Sequence, residues 1–242
     1  VRYISEISDP TKVALRTLRL DIMNKHMGQS QAVRIQYSTK KARVANAWKK
    51  WQGEAKGIKK MKTVQTNQNY EKRFKEWAKG SDYEGVVEKI DSIYKVLENH
   101  HFIVDVFSET VQTIEISRLA RQLSGHSLEE VHKICKDFFK DYYMPIDKEC
   151  FVALMEEFGK IIPEDHQPEY YKEQMHKYGN AQIWADSLFA NSVFADEAKV
   201  ANLGENYKDI LKNDPASQYY LKMQDWALPH LNKARALNRD LK

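Results

Sequence analysis

Helix-start signals recur along the chain, and the residues that break helices are scarce. Asp9-Pro10 and Asp214-Pro215 place a carboxylate acceptor before a proline, which is tolerated in a first helical turn. Ser81 and Ser127 each stand three residues before a glutamate, the spacing of a capping box. Only 9 glycines and 6 prolines occur among 242 residues. The sequence therefore predicts an all-α fold, a multi-helix array of roughly eight to ten helices.

Apolar periodicity places these helices along the chain. The first runs from Asp9 to about Met27, and Gly28 should stop it. A long helical arm follows over 30–79, weakened at 63–69 and ended by Gly80. Pro229 should kink the last helix. The other helices are expected at about 81–97, 101–123, 127–138, 147–158, 169–178 and 181–190, with the last one from 215 onward.

Charge divides the chain into two unlike parts. Residues 1–80 carry 19 Lys+Arg against 6 Asp+Glu, and residues 81–242 carry 19 against 28, for a net charge of +4. We predict a long basic helical hairpin (1–80) packed on a compact acidic helical bundle (81–242), together forming one domain over 1–242. No run of about eighteen apolar residues occurs, so no membrane span is predicted.

Cysteine usage points to thiols with a packing role. Cys135 and Cys150 form no C-x-x-C pair, and two cysteines make no disulfide framework. A single bridge between them stays open. Two buried free thiols are the favoured interpretation, because free cysteine packs as a small apolar side chain.

The segment "ARVANAWKKWQGEAKG" (42–57) has two unlike faces. At one hundred degrees per residue, one side forms an apolar stripe predicted to be core; its members are Val44, Trp48, Trp51, Ala55 and Ile58. The opposite side carries Ala42, Asn46, Gly53 and Gly57. Each mid-helix glycine costs about 1 kcal/mol relative to alanine. The small side chains predict one of two things. The face is exposed to solvent, or another protein surface packs closely against the helix backbone there.

The same segment carries a family resemblance. The runs "LRLDIMNKHM", "AVRIQYSTKKARVANAWKKWQGEAKGIKKMK", "WADSLFANSVFAD" and "NDPASQYY" are similar to the helical domain of the bacterial dipeptidyl-peptidases seven and eleven, peptidase family S forty-six. The resemblance covers nearly the whole chain and is most specific at 15–62. It implies a helical domain that caps the active-site cleft of a chymotrypsin-like serine peptidase releasing dipeptides from a free N-terminus.

The resemblance also implies roles for residues and partners. The motif at Ala45-Asn46-Ala47-Trp48 assigns Asn46 to binding of the substrate's α-amino group. Ala42, Gly53 and Gly57 are predicted to let the missing catalytic domain, or the substrate, approach. The enzymes of this family belong to the periplasm or the surface of Gram-negative bacteria and often pair as homodimers, so the resemblance implies the same setting here.

Catalytic and metal-binding patterns are weak in this chain. It holds no Gly-Asn-Ser-Gly-Ser type motif, so the Ser-His-Asp triad is expected outside an excised segment, which alone should be inactive. His101, Asp105 and Glu109 follow at i, i+4 and i+8, a spacing that metal ligands use. Without a second histidine at a ligand spacing, polar surface is the favoured interpretation, and no metal or cofactor is predicted.

Two other functions stay open. The lysines and arginines of residues 40–62, interleaved with Trp48 and Trp51, allow a basic module that binds nucleic-acid phosphate. Against it, both tryptophans fall on the apolar stripe and the cations spread around the helix. A stand-alone helical scaffold that binds a partner protein is the other alternative.

Overall fold

The computed structural model describes residues 8–241, with the side chains of 58–68 left undescribed. Within these limits the protein contains α-helices, turns and two short 3-10 helices, and no strand. The predicted all-α class is confirmed, with twelve α-helices in the described residues. They are α1 (Ser8–Gln29), α2 (Gln31–Gln68), α3 (Tyr70–Ala78), α4 (Val86–Thr110), α5 (Glu115–Gln122), α6 (Leu128–Phe139), α7 (Met144–Ile161), α8 (Glu169–Tyr178), α9 (Ala181–Asn191), α10 (Glu197–Ala201), α11 (Tyr207–Asn213) and α12 (Pro215–Asp240).

Several predicted helix starts are confirmed by their hydrogen bonds. The Ser127 hydroxyl accepts from the backbone N–H of Glu130, and the Glu130 carboxylate accepts from the backbone N–H of Ser127, completing the capping box of α6. Asp214 accepts from the backbone N–H of Ala216 at 2.8 Å and starts α12, with Pro215 in the first turn. Local side-chain chemistry was therefore sufficient to place these two helix starts.

Two other predicted starts were wrong. Ser81 and Glu84 make capping-type bonds to the backbone N–H groups of Tyr83 and Gly80, but residues 81–85 form turns. The helix begins only at Val86, because Gly85 takes a left-handed conformation at φ 78° that ends the turn. At the N-terminal end, α1 already includes Ser8, so Asp9 lies inside the first turn of the helix.

The long arm is one helix with a single break. α2 runs unbroken over Gln31–Gln68 and ends at Asn69, whose left-handed φ of 50° separates it from α3. The break falls inside the stretch predicted to be weak. Ile58, predicted to belong to the apolar stripe, lies among the residues whose side chains are not described.

Helix α4 differs from the prediction in length and in burial. It continues through His100-His101 to Thr110, where the sequence predicted a second helix from about His101. Its first turns are open: Ile90, predicted inward, is 38% exposed, whereas Leu97 is 2% exposed. The buried part of α4 packs on α12 and α1. An apolar repeat thus predicts which side of the helix faces inward. It does not predict which turns of the helix are buried by neighbouring helices.

The first two helices pack on the rest of the chain through ion pairs. Arg16 of α1 lies 2.7 Å from Glu109 of α4, and Lys12 lies 3.2 Å from Asp105. Lys25 pairs with Glu149 of α7. The cations of residues 1–80 therefore meet carboxylates of residues 81–242 along this contact, which uses the uneven charge of the sequence.

The centre of the core is a cluster of aromatic rings from α7, α9 and α12. The Trp184 ring meets Phe151 edge-to-face at a centroid distance of 5.0 Å and Tyr219 at 5.8 Å. Phe151 and Tyr219 also meet each other at 5.1 Å. All three are almost fully buried. These rings join α7, α9 and α12.

Both cysteines are buried and free, as the sequence predicted. Burial raises the pKa of Cys135 to about 11 and that of Cys150 to about 12. Because the thiolate is the reactive form, neither thiol should react with an aromatic disulfide reagent in the native protein near neutral pH. Both should react after denaturation. A rapid reaction of one equivalent in the native protein, followed by absorbance, would contradict this packing.

Candidate functional site

The face of α2 that carries Asn46 is low and open. Ala42, Asn46 and Gly53 are exposed, and Gly57 is half-buried. A Cβ atom added at Gly53 or Gly57 would meet nothing within 4 Å, so the described chain places no other element over this face. Another body could therefore reach the α2 backbone closely, as the glycine positions predicted.

Asn46 offers an unused amide on this face. Among the described residues its side chain has no hydrogen-bond partner and no neighbour that would hold it away from solvent. An asparagine amide supplies one acceptor oxygen and two N–H donors. Lys49 and Lys50 flank it and are exposed. The structure thus places Asn46, Ala42, Gly53 and Gly57 on one accessible surface, and their binding roles stay predictions.

The opposite side of α2 is anchored on α1. Val44 is buried, and the indole N–H of Trp48 donates to the Thr17 hydroxyl at 3.0 Å. The Lys12 ammonium lies 3.6 Å from the centroid of the Trp51 ring, a cation–π contact. These contacts set the rotation of α2 and keep Asn46 pointing away from α1.

The prediction that Trp48 and Trp51 are core residues was wrong in degree. Both are half-buried, because α1 covers only one side of them. A periodic stripe shows which side of a helix turns inward, whereas the depth of burial depends on how many neighbours cover it. The tryptophans do engage α1, so they are not free platforms on which nucleic-acid bases could stack.

Half-burial lowers the expected cost of losing Trp48. We expect Trp48→Ala to lower the free energy of unfolding by about 1–3 kcal/mol, less than for a fully buried tryptophan. Trp48→Phe keeps an aromatic ring in the contact and removes the bond to Thr17 together with part of the indole surface, so it should cost less than Trp48→Ala, about 1 kcal/mol. Urea denaturation of both variants measures the two values. Equal losses would show that the hydrogen bond, not the ring, supports this contact.

A buried polar network fixes the N-terminal half of α2. The Tyr37 hydroxyl donates to Glu115 Oε2 at 2.6 Å and accepts from the backbone N–H of Tyr143 at 3.1 Å. Lys40 Nζ reaches the other Glu115 oxygen, Oε1, at 2.6 Å. Burial and the neighbouring Glu115 charge raise the pKa of Tyr37, which therefore stays a neutral donor. Through Glu115 the helix that carries Asn46 is tied to α5.

Asp147 completes this network from α7. Its Oδ1 accepts from the backbone N–H of Glu115 at 2.7 Å, and its Oδ2 accepts from that of Ile116 at 3.1 Å and from the Tyr142 hydroxyl at 3.0 Å. Asp147 thus caps the start of α5 from a different helix. Burial, followed by the Glu115 charge, raises the pKa of Asp147 to about 7. The sequence carried no signal for this network, since its members are far apart in the chain.

The acidic residues near His101 serve α1. Asp105 and Glu109 pair with Lys12 and Arg16, as described above, and His101 faces Asn238 of α12 at 3.5 Å. These three residues therefore do not converge on a common point. Among the described residues no group of three histidine, cysteine or carboxylate side chains is placed to hold a metal ion.

A histidine pair joins α4 to α12. The Nδ1 atoms of His100 and His230 lie 2.9 Å apart, so at most one can carry the shared proton. Burial lowers the pKa of both histidines. Lys233 and His101 add to this at His100. His100 itself, followed by His166 and Lys233, adds to it at His230. The unfolded chain therefore binds protons more readily than the native protein at mildly acidic pH.

We expect the histidine pair to lower the free energy of unfolding as the pH falls from neutral through the ordinary histidine range and below it. Asp147, whose pKa is raised to about 7, contributes in the opposite direction near neutral pH, because the native protein holds that proton more tightly than the unfolded chain does. Urea denaturation at a series of pH values measures the sum, and His230→Gln should remove the contribution of the histidine pair from the slope. An unchanged slope in that variant would assign the pH dependence to other groups.

These contacts define a class of protein. In its described residues it is an all-helical domain with an open face on α2, and the buried carboxylates Glu115 and Asp147 are engaged in structural hydrogen bonds. We therefore expect its function to depend on the molecule or domain that binds this surface. No helix among the described residues is long and apolar enough to cross a membrane.

Comparison with known proteins gives the family. The family model described as Peptidase S46 matches residues 1–242, and the chain belongs to this family. It is 25% identical over 248 residues to an Asp/Glu-specific dipeptidyl-peptidase of Capnocytophaga gingivalis, covering 93% of this chain and 34% of that protein. It is 28% identical to dipeptidyl-peptidase 7 of Phocaeicola vulgatus, over 86% of this chain and 32% of that protein. The chain thus spans about a third of the curated relatives it matches.

A solved structure shares the fold. The crystal structure of Porphyromonas endodontalis DPP11 superposes with a TM-score of 0.80 at 23% identity, over 97% of this chain and 36% of that chain. The structure of the same protein in complex with the dipeptide Arg-Asp gives a TM-score of 0.78 at 22% identity. At this identity the likeness concerns the helical fold. The resemblance read from the sequence is confirmed at the level of the family.

Proposed function

We propose that this chain is the helical domain of a dipeptidyl-peptidase and that it covers the active-site cleft of that enzyme. The observation that carries this is the match to a peptidase family over residues 1–242 by a chain that spans about a third of its relatives. The described residues of this chain form helices. About two thirds of each relative's length lies outside the match and is available for the catalytic machinery. In this proposal the machinery is a chymotrypsin-like domain with a Ser-His-Asp triad, supplied by the same polypeptide.

Asn46 is proposed to bind the α-amino group of the peptide substrate. An exopeptidase must distinguish a free ammonium from an internal amide, and an ammonium needs hydrogen-bond acceptors. The exposed amide oxygen of Asn46 supplies one, and such a charge-assisted bond is stronger than a neutral one. Ala42, Gly53 and Gly57 keep the surrounding surface low enough for the catalytic domain to approach. No catalytic group is needed on this face.

The proposal extends to the setting of the enzyme. The relatives come from bacteria such as Capnocytophaga gingivalis and Phocaeicola vulgatus. We propose that the enzyme lies in the periplasm or at the surface of a Gram-negative cell. We further propose that it is a serine peptidase and that it forms a homodimer. The names of the relatives divide between Asp/Glu-specific and type 7 enzymes, so the proposed recognition concerns the free N-terminus and leaves the side chains of the substrate unassigned.

The first test is the reading frame on both sides of this segment. We expect a β-barrel half with the histidine and aspartate before it and a Gly-Asn-Ser-Gly-Ser type motif after it. The protein made from that frame should release dipeptides from peptides with a free N-terminus and leave N-acetylated peptides intact. A frame without a peptidase domain on either side would overturn the proposal and favour a stand-alone helical scaffold.

A further inference from the structure

A groove lined by none of the described α2 residues has no role in the proposed peptidase function. It lies between the C-terminal end of α5 with the following turn, helix α11 and the first turns of α12, and it encloses about 540 Å³. Binding sites for small ligands commonly enclose a few hundred to about a thousand Å³. The size is therefore sufficient for a ligand of two or three amino-acid residues or a medium-length acyl chain.

The floor of the groove is apolar and firmly held. Leu123, Tyr207 and Tyr220 line it and are buried. The Tyr207 hydroxyl donates to the backbone carbonyl of His126 at 2.9 Å, which fixes α11 against the turn after α5. Leu221 lines the groove as well and is 44% exposed, although it is a large apolar side chain. The groove thus offers apolar surface on a preformed frame.

The charged side chains of the groove have one sign. Arg121, Lys208 and Lys212 line it, and no aspartate or glutamate is among its lining residues. All three are exposed, and no ion pair joins any of them to a described carboxylate. The Arg121 guanidinium lies 5.8 Å from the centroid of the Tyr220 ring, and Lys208 Nζ lies 5.9 Å from that of Tyr207. Cationic groups therefore stand beside the apolar floor.

We propose that this groove binds an amphipathic carboxylate, with the apolar body over Tyr207 and Tyr220 and the carboxylate among Arg121, Lys208 and Lys212. These three cations stand in the acidic part of the chain, because residues 81–242 carry 19 Lys+Arg against 28 Asp+Glu. A groove lined by positive charge alone is therefore unusual for this part of the protein. A neutral apolar ligand would leave three cations unused, and a small inorganic anion would leave the apolar floor uncovered. Two sources share the required chemistry: a peptide ending in an apolar residue with a free C-terminus, and a fatty acid.

Titration calorimetry on the intact enzyme that contains this chain tests this site directly. The matched probes are N-acetyl-leucyl-phenylalanine and its C-terminal amide, which differ only in the carboxylate; decanoate tests the second source. The acetyl group removes the ammonium that Asn46 is proposed to bind, so failure here and failure of the peptidase proposal are distinguishable. We expect the acid to bind about tenfold more tightly than the amide, and added salt to weaken only the acid.

Two substitutions and one control locate the site. Arg121→Gln and Lys212→Gln should each weaken binding of the acid by about threefold and leave the amide unchanged. Lys222→Gln removes the same charge from an exposed position of α12 outside the groove and should change binding less than twofold. Binding of the peptide acid alone assigns the site to peptide C-termini, and binding of decanoate alone assigns it to acyl chains; either result supports the class.

Three results would overturn the proposal. They are equal affinity for acid and amide, an equal loss in Lys222→Gln and Lys212→Gln, and the absence of saturable binding for both carboxylate probes. A circular dichroism spectrum of each variant confirms that the helices are retained before its affinity is compared.

Discussion

Replacing Trp184 by alanine should lower the free energy of unfolding by about 3–5 kcal/mol. Its side chain is 2% exposed and stands at the centre of the aromatic cluster, in edge contact with Phe151, Tyr219 and Tyr171. Removal of the indole leaves a cavity that several large rings from separate helices line, and these rings cannot all move inward to fill it. Urea denaturation monitored by circular dichroism measures the change.

Trp77→Ala is the matched control for this prediction. Trp77 is 66% exposed on α3 and, among the aromatic residues that the structure describes, contacts Phe74 and Tyr83. The same substitution there should cost less than about 1 kcal/mol. A comparable loss in both variants would mean that α3 and the start of α4 carry as much of the stability as the aromatic cluster does.

Replacing Asn46 by alanine should lower kcat/KM of the intact enzyme for peptides with a free N-terminus by one to two decades. The loss of one charge-assisted hydrogen bond to the substrate ammonium corresponds to about 1.5–3 kcal/mol. The melting temperature should not change, because the Asn46 side chain is exposed and has no hydrogen-bond partner among the described residues. Steady-state kinetics with a dipeptide chromogenic substrate and thermal unfolding together test both parts.

Two variants make this test specific. Asn99→Ala removes an exposed asparagine from α4 and should leave kcat/KM within about twofold of the parent. Asn46→Asp keeps an acceptor oxygen and should retain more activity than Asn46→Ala. Unchanged kinetics in Asn46→Ala, with an active parent enzyme, would remove this residue from the binding site and leave the face of α2 as solvated surface.

Local chemistry made much of the helical framework predictable. Ser127 and Asp214 start helices because an oxygen acceptor two or three residues before a free backbone N–H stabilises a helix wherever the rest of the chain lies. The failure at Ser81 has the same origin. Its side-chain bonds form, yet Gly85 adopts a left-handed turn that postpones the helix to Val86.

Helix contacts in three dimensions were not predictable in the same way. The separation of α4 from α5 depends on Asp147, which caps α5 from α7 across 31–32 residues of sequence. The half-burial of Trp48 depends on how it packs against α1, where its indole N–H meets Thr17. An apolar periodicity could predict neither contact, because it describes the faces of a single helix. Both of these contacts join two different helices.

The sequence by itself determined the all-α class, the two faces of α2 and the family, since each depends on residue type and spacing along the chain. Only the tertiary structure decided that Asn46 stands open, that Tyr37, Glu115 and Asp147 hold its helix, and that Arg121, Lys208 and Lys212 line one groove with an apolar floor. The physical reason is that burial and electrostatic partnership depend on distances between helices. Those distances are set by the packing of the whole bundle.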